Sequence, residues 1–395
     1  MKSSLAIYFP SSAHMGTEQV LREVIAGAYA EAAVCKCPFY IQQVRDLADV
    51  AGSLGLMGMF SASMRKSGYL KLGIPLVNVS NYSGPVTGMG NVLSDDAAVG
   101  RMAAEHLLAK GYRHFLAVGQ AGPRWSLERL GGFIKVVQAG GHPVQAVDLD
   151  PVDLRAGFAP AAYLQKIWEQ ISPLLRDAPL ATGIFAANDW LAWPILQQLR
   201  EKAPERLHTT ALLGVDNLHD QLFDPSRTAG LSSIQPGFRE MGARGLRLLI
   251  DAARDGRETR GVLELVPPAK LHARGSTAGS ACEDPVVSKV VRILWAALQE
   301  GEDLPIRDLA RRHGMSLRNL ELRFEAQLGI SARMLIADMR IQYGQELLRD
   351  TDLPIGEVSE RCGYANSTTF STTFGKKTGS TPREWRIKHR TAPAV

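Results

Sequence analysis

The stretch Ile306-Arg-Asp-Leu-Ala-Arg-Arg-His-Gly314-Met-Ser316-Leu-Arg-Asn-Leu320-Glu-Leu-Arg-Phe324 has the spacing of two short helices around a turn. Its apolar residues recur at helical intervals. Gly314 can take the positive φ that ends the first helix, and Ser316 can cap the second. Leu320 and Phe324, at i and i+4, give the second helix a buried face and leave its opposite face free. The pattern predicts a helix-turn-helix, whose free face enters the major groove of DNA.

The same pattern returns 49 positions later, as Ile355-Gly-Glu-Val-Ser-Glu-Arg-Cys-Gly363-Tyr followed by Asn366-Ser-Thr-Thr-Phe370-Ser-Thr-Thr-Phe374. A single helix-glycine-helix corner is also common in packed helical bundles, so one copy has limited specificity. Two copies joined by a helix are far more specific for a DNA-binding domain.

The segment that joins the two copies, 331–348, is itself predicted to be a helix. Leu335, Met339, Tyr343 and Leu347 form an apolar stripe along it, which favours a rigid spacer. About 18 residues at 1.5 Å per residue give about 27 Å. That length could hold two recognition helices about one turn of DNA apart.

The free faces of the two recognition helices differ in chemistry. The first carries Arg318 and Glu321, whereas the second carries hydroxyl groups at Ser367, Thr368 and Ser371. Hydroxyls can contact phosphates or thymine methyl groups, but they lack the paired contact of arginine with guanine. The sequence therefore predicts that the second motif binds weakly or reads DNA shape.

The closing stretch Phe370…Phe374-Gly-Lys-Lys-Thr-Gly-Ser-Thr-Pro-Arg-Glu-Trp-Arg386 is similar to the most characteristic segment of AraC-type transcription regulators. Residues 286–390 as a whole resemble the DNA-binding domain of that family. Basic residues are usual in the family where Leu322 and Thr372 stand. The resemblance implies a set of DNA-contacting residues: Arg318, Asn319, Glu321, Arg323, Ser367, Thr368, Ser371, Lys376, Lys377, Arg383 and Arg386.

The net positive charge of the chain is concentrated in the proposed DNA-binding domain. Over 286–395 there are 17 Lys and Arg against 13 Asp and Glu, which accounts for +4 of the total +5. Phosphate contact requires such an excess, although a solvated basic face would show it too. The four cysteines, at positions 35, 37, 282 and 362, are too scattered for a disulfide framework or a zinc site. With no signal peptide and no long apolar run, we expect a cytoplasmic protein.

The first 275 residues alternate short apolar runs with helical patterns. Runs such as 115–118 and 211–215 predict strands, and 97–109 and 238–253 predict helices. Such alternation indicates parallel sheets covered on both faces, and about 270 residues suit two lobes. We expect one lobe at about 1–122 plus part of 236–267 and the other at about 123–235. Three crossings would then form a hinge.

Polar and aromatic residues follow several of the predicted strands, where ligands bind in such sheets. Carboxylates, amides and arginines can bind the paired hydroxyls of a polyol, and an indole can stack on a sugar face. Local capping of the next helix is the alternative for Asn188, Asp189, Asp216 and Asn217. The candidate ligand-binding residues are Ser11, Arg124, Trp125, Arg129, Asn188, Asp189, Asp216 and Gln235.

Several stretches of this region look like the effector domain of LacI-type repressors, which is itself similar to periplasmic sugar-binding proteins. They are Ser94-Asp-Asp-Ala-Ala-Val-Gly100, Glu128-Arg-Leu-Gly-Gly-Phe133, Phe185-Ala-Ala-Asn-Asp189, Leu213-Gly-Val-Asp-Asn217 and Leu231-Ser-Ser-Ile234. This resemblance implies that Arg129, Asn188, Asp189, Asp216 and Gln235 contact a sugar between the lobes.

The predicted architecture is a two-lobed α/β sensor with parallel sheets, followed by an all-α domain with two helix-turn-helix motifs. We assign residues 1–268 to the sensor, 269–285 to a linker and 286–395 to the AraC-type DNA-binding domain. The pairing resembles regulators of pentose utilisation. It implies an activator that responds to a pentose, with D-xylose favoured, and whose partners are operator DNA, RNA polymerase and a second copy of the chain.

Two other classes of protein are weighed against this interpretation. A sugar-binding module whose C-terminal domain docks protein would bind DNA with little salt dependence. An enzyme would need a reactive motif. No glycine-rich phosphate loop follows the first predicted strand, and no Gly-x-Ser-x-Gly elbow occurs, so we expect no enzyme, no cofactor and no metal.

Overall fold

The computed structural model describes residues 4–8, 15–60, 68–80, 82, 84–149, 160–203, 206, 209–218, 230–279, 281–302 and 304–389. The chain divides into two compact units. The first comprises Met1–Ala178, Thr182–Lys202 and Leu212–Arg274, and the second comprises Pro179–Ala181, Ala203–Ala211 and Gly275–Val395. Candidate Ser11 lies outside the described residues.

The α/β part contains two six-stranded sheets. Their strands are β1 (Ser4–Tyr8), β2 (Tyr40–Val44), β3 (Ser53–Gly58), β4 (Leu76–Asn78), β5 (Gly90–Ser94), β6 (His114–Gln120), β7 (Val144–Leu149), β8 (Thr182–Ala186), β9 (Ala211–Val215), β10 (Ser232–Gln235), β11 (Leu263–Val266) and β12 (Lys270–His272). The first lobe is built on the sheet β11-β5-β4-β3-β1-β2, and the second on β12-β10-β9-β8-β6-β7. Pairs such as β1–β2 and β6–β8 are parallel, whereas β12 runs antiparallel to β10. The predicted fold class is confirmed.

Helices separate most of these strands along the chain. They are α1 (Met15–Val34), α2 (Asp96–Ala109), α3 (Arg124–Ala139), α4 (Pro160–Asp177), α5 (Asp189–Lys202) and α6 (Phe238–Asp255). In the first lobe, Val24 of α1 and Leu249 of α6 share a buried core with Leu5, Met57 and Val77 of the sheet. Apolar residues of strands and helices therefore meet in the layered arrangement that the alternation predicts.

The division between the lobes differs from the predicted position at residue 122. β6 pairs with β7 and β8, not with the first sheet, and α2 packs on α3. The second lobe therefore begins directly after β5. The expected boundary was wrong because strand pairing, which joins residues far apart in sequence, decides which sheet a strand enters. The three crossings do occur, after β5, after β10 and after β11.

Part of the predicted linker 269–285 belongs to the fold. β12 covers the edge of the second sheet, and the backbone N–H of Arg274 donates to Ser232 Oγ at 2.8 Å. A 3-10 helix follows at Gly275–Thr277, with Ser276 and Thr277 buried. The small polar composition that suggested a linker also suits a tightly packed turn.

Glycines set the distance between packed helices in both lobes. A methyl group on Gly242 of α6 would lie 1.9 Å from the Val24 carbonyl oxygen of α1. In the same way, a methyl group on Gly132 of α3 would lie 2.2 Å from the Ala97 carbonyl oxygen of α2. No side chain fits at either position unless the helices move apart.

Substitution by alanine should therefore change stability differently at the two neighbouring glycines of α3, Gly131 and Gly132. We expect Gly132→Ala to lower the free energy of unfolding by about 1–3 kcal/mol, since it overpacks the α2–α3 contact. Gly131 has no atom within 4 Å of its would-be methyl group, so Gly131→Ala should leave stability unchanged or raise it by about 0.5–1 kcal/mol. Urea unfolding of the two variants tests this, and equal effects would contradict the packing argument.

The second unit is mainly helical. Its helices are α7 (Pro285–Glu300), α8 (Ile306–Arg312), α9 (Leu317–Leu328), α10 (Ala332–Asp350), α11 (Ile355–Arg361), α12 (Ser367–Thr378) and α13 (Pro382–His389). They form two separate cores. The first joins α7, α8 and α9, and the second joins α11, α12 and Trp385. The joining helix α10 contributes Met339 to the first core and Leu348 to the second.

The local signals of both helix-turn-helix motifs are confirmed. The Asn319 N–H donates to Ser316 Oγ at 3.2 Å, and the Thr369 N–H donates to Asn366 Oδ1 at 2.8 Å. Gly314 and Gly363 have φ values of 68° and 73°. The four predicted core residues, Leu320, Phe324, Phe370 and Phe374, are fully buried.

Among the described residues, none of the helices combines the length and apolar character needed to cross a lipid bilayer.

Candidate functional site

A buried arginine organises the carboxyl ends of the strands in the second lobe. Arg129, on α3, is 4% exposed, and its Nε donates to Asp96 Oδ1 at 2.8 Å. Its Nη1 donates to the Ala187 carbonyl oxygen at 2.7 Å and to Asp216 Oδ1 at 3.1 Å. One guanidinium thus joins the start of α2, the end of β8 and the end of β9. Such a buried charge requires these partners.

Asp216 occupies an unusual backbone conformation. Its φ is 96°, and that of the next residue, Asn217, is 51°. Asp and Asn accept positive φ more readily than most residues. This turn directs the Asp216 carboxylate to Arg129, while the Asn217 N–H donates to Ser233 Oγ at 3.0 Å and Asn217 Oδ1 accepts from Arg274 Nη2 at 2.7 Å.

Asp189, at the start of α5, is held among the same strand ends. Its carboxylate accepts from the Leu218 N–H at 2.9 Å and from Ser233 Oγ at 2.8 Å. A methyl group on Gly214 would lie 2.1 Å from Asp189 Oδ1, so the glycine provides room for this carboxylate. Burial, reinforced by the negative charge of Asp216, raises the pKa of Asp189 to about 7.

The raised pKa of Asp189 makes stability depend on pH. The folded protein binds the proton of Asp189 more tightly than the unfolded chain, in which the pKa is near 4. The free energy of unfolding should therefore decrease as pH rises from about 4 to about 7. Asp189→Asn should remove the contribution of Asp189 to this decrease in the free energy of unfolding, as measured by urea unfolding at pH 5 and pH 8. Asp177→Asn, at an exposed position, is the control, and an unaltered decrease in Asp189→Asn would refute the assignment.

Trp125 and Arg124 lie on the first turn of α3. The Arg129 guanidinium carbon is 5.0 Å from the centre of the Trp125 ring, in cation–π geometry. The Arg124 N–H donates to the Tyr82 carbonyl oxygen of the first lobe at 3.1 Å. The Arg124 side chain pairs with Glu128 and lies against Gly84, where a methyl group would approach it to 2.6 Å. Arg124 therefore lies where the two lobes touch.

The remaining candidates of the sensor have structural contacts. Asn188 Oδ1 accepts from the Leu191 N–H at 2.9 Å, which is the capping role weighed above for this residue. Gln235 Oε1 is 3.0 Å from His272 Nε2 on the neighbouring strand β12. The structure thus brings Arg129, Asp189 and Asp216 together, and these contacts leave the ligand-binding assignments as predictions.

Three residues of this cluster were not among the candidate ligand-binding residues. Asp96, Ser233 and Arg274 all bond to it directly. Asp96 and Ser233 stand inside stretches already noted for their resemblance to LacI-type domains. Arg274 fell in the predicted linker, so only the pairing of β12 with β10 could reveal it.

The predicted DNA-facing residues divide into exposed and engaged groups. Arg318 and Asn319 are exposed at the start of α9, as are Ser367 and Thr368 at the start of α12. Lys376 and Arg383 are also exposed, and Ser371 is half-buried. Recognition helices contact bases through their first turns, so these positions suit DNA contact.

Other predicted DNA-facing residues make contacts within the second unit. Glu321 Oε2 accepts from the Ala332 N–H at 3.1 Å and so helps to cap α10. Arg323 pairs with Asp284 at 3.0 Å, Lys377 pairs with Asp338, and Arg386 Nη2 donates to the Leu353 carbonyl oxygen at 2.5 Å. Direct contact of Glu321 with a base would compete with its capping bond.

Comparison with known families agrees with this arrangement. Residues 104–277 match the family of periplasmic binding protein-like domains, and residues 309–388 match a helix-turn-helix domain family. A two-lobed periplasmic binding protein-like domain followed by a helix-turn-helix domain is the organisation of a ligand-sensing, DNA-binding transcription regulator.

The chain is similar to the xylose operon regulatory proteins along most of its length. It is 26% identical to that of Escherichia coli (strain K12) over 384 residues, which span 92% of this chain and 93% of the relative. It is 27% identical to that of Haemophilus influenzae over 306 residues, or 75% and 74% of the two chains. The solved structure of the xylose-binding transcription activator xylR matches with a TM-score of 0.69 at 23% identity, covering 99% of this chain and 100% of that one.

Proposed function

We propose that this protein is a transcription activator whose binding to operator DNA is controlled by a pentose, D-xylose favoured, held between the lobes of the α/β part. The convergence of Arg129, Asp189 and Asp216 at the strand ends carries the proposal. These groups offer donors and acceptors for sugar hydroxyls, beside an indole at Trp125. The names of the relatives support D-xylose as the sugar.

The proposed partners are a second copy of the chain and RNA polymerase. Exposed apolar side chains support the dimer: Tyr29 and Val34 of α1 are 41% and 76% exposed, and Tyr40 of the edge strand β2 is 62% exposed. Apolar surface of this kind often marks an interface. Sedimentation of Tyr40→Asp against the unaltered protein tests it, and an unchanged mass would count against this surface.

Calorimetric titration of the full chain with a panel of aldoses, D-xylose included, tests the ligand. We expect one saturable sugar. Asp216→Asn should abolish the heat, because the amide keeps the tolerance of positive φ but lacks the charge that pairs with Arg129. A circular dichroism spectrum and salt-dependent DNA binding like those of the unaltered protein would show that the variant is folded. Full sugar binding by Asp216→Asn would exclude this site.

The first recognition helix should dominate sequence readout, because the first turn of α9 carries an exposed cation, Arg318, whereas the first turn of α12 carries hydroxyl groups. We expect Arg318→Ala to weaken operator binding by about 1–3 kcal/mol, or about 5- to 150-fold. Binding should be measured by fluorescence anisotropy at several salt concentrations. Arg311→Ala, which removes an exposed arginine paired with Asp308 on α8, is the matched control. Equal losses in both variants would indicate phosphate contact only.

Salt dependence separates DNA binding from a protein-docking role of the helical domain. Affinity for operator DNA should fall steeply as salt rises, because phosphate contacts release counterions. A flat salt response of all DNA binding would favour a protein partner instead.

A further inference from the structure

The second compact unit contains two short segments that stand between elements of the α/β part. They are Pro179–Ala181 and Ala203–Ala211, and the structure describes 203, 206 and 209–211 of the latter. The segments are bonded to each other: Arg206 Nη1 donates to the Pro179 carbonyl oxygen at 3.1 Å. Thr209 and Thr210 are buried, at 0% and 2% exposure. The described residues of these segments are therefore bonded or buried within the unit that also holds the DNA-binding helices.

Arg292 of α7 joins these segments to the helical domain. Its Nη2 donates to the Thr210 carbonyl oxygen at 2.8 Å, and its Nη1 donates to the Gly275 carbonyl oxygen at 2.8 Å. The flat guanidinium fork can hold two acceptors in a fixed geometry, which a lysine ammonium on its flexible stem does not reproduce. A second bond runs from the Ala181 N–H to Glu283 Oε1, at 3.2 Å.

Both attached segments lead directly into strands that end at the candidate ligand site. Thr210 precedes β9, whose five residues are all buried and end next to Asp216. Ala181 precedes β8, which is also fully buried and ends shortly before Asp189. A buried five-residue strand is a stiff connection, because its packing and pairing resist local deformation.

The start of α7 is tied in turn to the first recognition helix. Asp284 caps α7 by accepting from the Val286 N–H at 2.9 Å, and it also pairs with Arg323 of α9 at 3.0 Å. Gln327 Oε1, also on α9, accepts from the backbone N–H groups of Glu283 and Asp284 at 3.2 and 3.3 Å. Movement of α7 would therefore be passed to α9.

We propose that Arg292 is a coupling residue. Because it holds the start of β9 against α7, a rearrangement at Asp216 is transmitted to the recognition helix α9. In the reverse direction, a change that DNA binding causes in α9 is transmitted to the ligand site. The inference rests on the proposed function for its ligand. It assigns no direct contact with sugar or DNA to Arg292, so loss of the side chain should lower the coupling while leaving each separate affinity nearly unchanged.

The test measures coupling in the full-length protein. The affinity for a duplex selected by the unaltered protein from a random pool is determined with and without saturating D-xylose at fixed salt. The ratio of the two affinities is the coupling factor, typically about 5- to 150-fold in regulated proteins. We expect the coupling factor of Arg292→Ala to be at least about fivefold closer to 1 than that of the unaltered protein. Lys289→Ala, at an exposed position of the same helix, should leave it unchanged.

Arg292→Lys provides a second variant should Arg292→Ala fold poorly. It retains the charge but not the fork, and it should also lower the coupling factor. A coupling factor in either folded variant equal to that of the unaltered protein would overturn the proposal.

If D-xylose does not alter the DNA affinity of the unaltered protein, that result counts against the proposed ligand. Hydrogen exchange would then test the coupling role of Arg292 without the sugar. DNA binding should slow exchange of the β9 amides in the unaltered protein and in Lys289→Ala, but not in Arg292→Ala. Absence of DNA-dependent protection in β9 of the unaltered protein would overturn the coupling role.

Discussion

Arg129→Ala is expected to lower the free energy of unfolding of the α/β part by about 3–5 kcal/mol, because it leaves buried carboxylates without their counter-charge. Asp96 is fully buried at its side chain and Asp216 is 15% exposed, so water cannot replace the guanidinium at either position. The variant should also lose sugar binding. Urea unfolding followed by circular dichroism measures the first effect, and calorimetry measures the second.

Two further variants separate the charge from other effects of the substitution. Arg101→Ala removes an exposed arginine that pairs with Asp95 at 3.4 Å, and its effect on stability should be at most about 1 kcal/mol. Adding Asp96→Asn to Arg129→Ala should restore part of the lost stability, since it removes one unpaired charge. If the double variant is as unstable as the sum of its parts, the loss arises from packing and not from charge.

Phe374→Ala should unfold the second helix-turn-helix and leave the first one folded. Phe374 is fully buried, and its ring lies 5.4 Å from that of Phe370 and 5.9 Å from that of Trp385. Loss of a buried phenylalanine costs about 3–5 kcal/mol, which is large for a core of this size. Because the two motifs have separate cores, hydrogen exchange should accelerate in α12 but not in α9.

DNA footprinting measures the effect of Phe374→Ala on DNA binding. Protection should shrink to the half-site bound by the first motif. Glu360→Ala, at an exposed position of the preceding helix α11, should leave both exchange and footprint unchanged. Simultaneous loss of protection in α9 and α12 would show that the helical domain folds as one cooperative body.

The helical domain could be predicted in most of its detail because its signals are local. Caps at Ser316 and Asn366, glycines with positive φ and aromatic residues at i and i+4 all act within a few residues of one another. The structure adds one packing constraint on the second core: a methyl group on Gly344 of α10 would lie 2.9 Å from the Phe370 ring. A larger residue there would disturb the second core.

The α/β part was predicted less completely. The sequence did not predict β3, which reads Ser-Leu-Gly-Leu-Met-Gly, or β5, which reads Gly-Asn-Val-Leu-Ser. Neither has a clear alternation or run of apolar residues. Both are buried in the sheet, where hydrogen bonding to neighbouring strands outweighs the low strand propensity of glycine and asparagine.

The sequence by itself determined the alternation of strands and helices, the two helix-turn-helix motifs and the polar residues that follow the identified strands, because each depends on neighbours along the chain. Only the tertiary structure decided that Asp96, Arg129 and Asp216 meet, that the second lobe begins before β6, and that Arg292 holds Thr210. These contacts join residues separated by 33 to 87 positions. Sheet pairing and helix packing bring such residues together, and neither leaves a periodic pattern in the sequence.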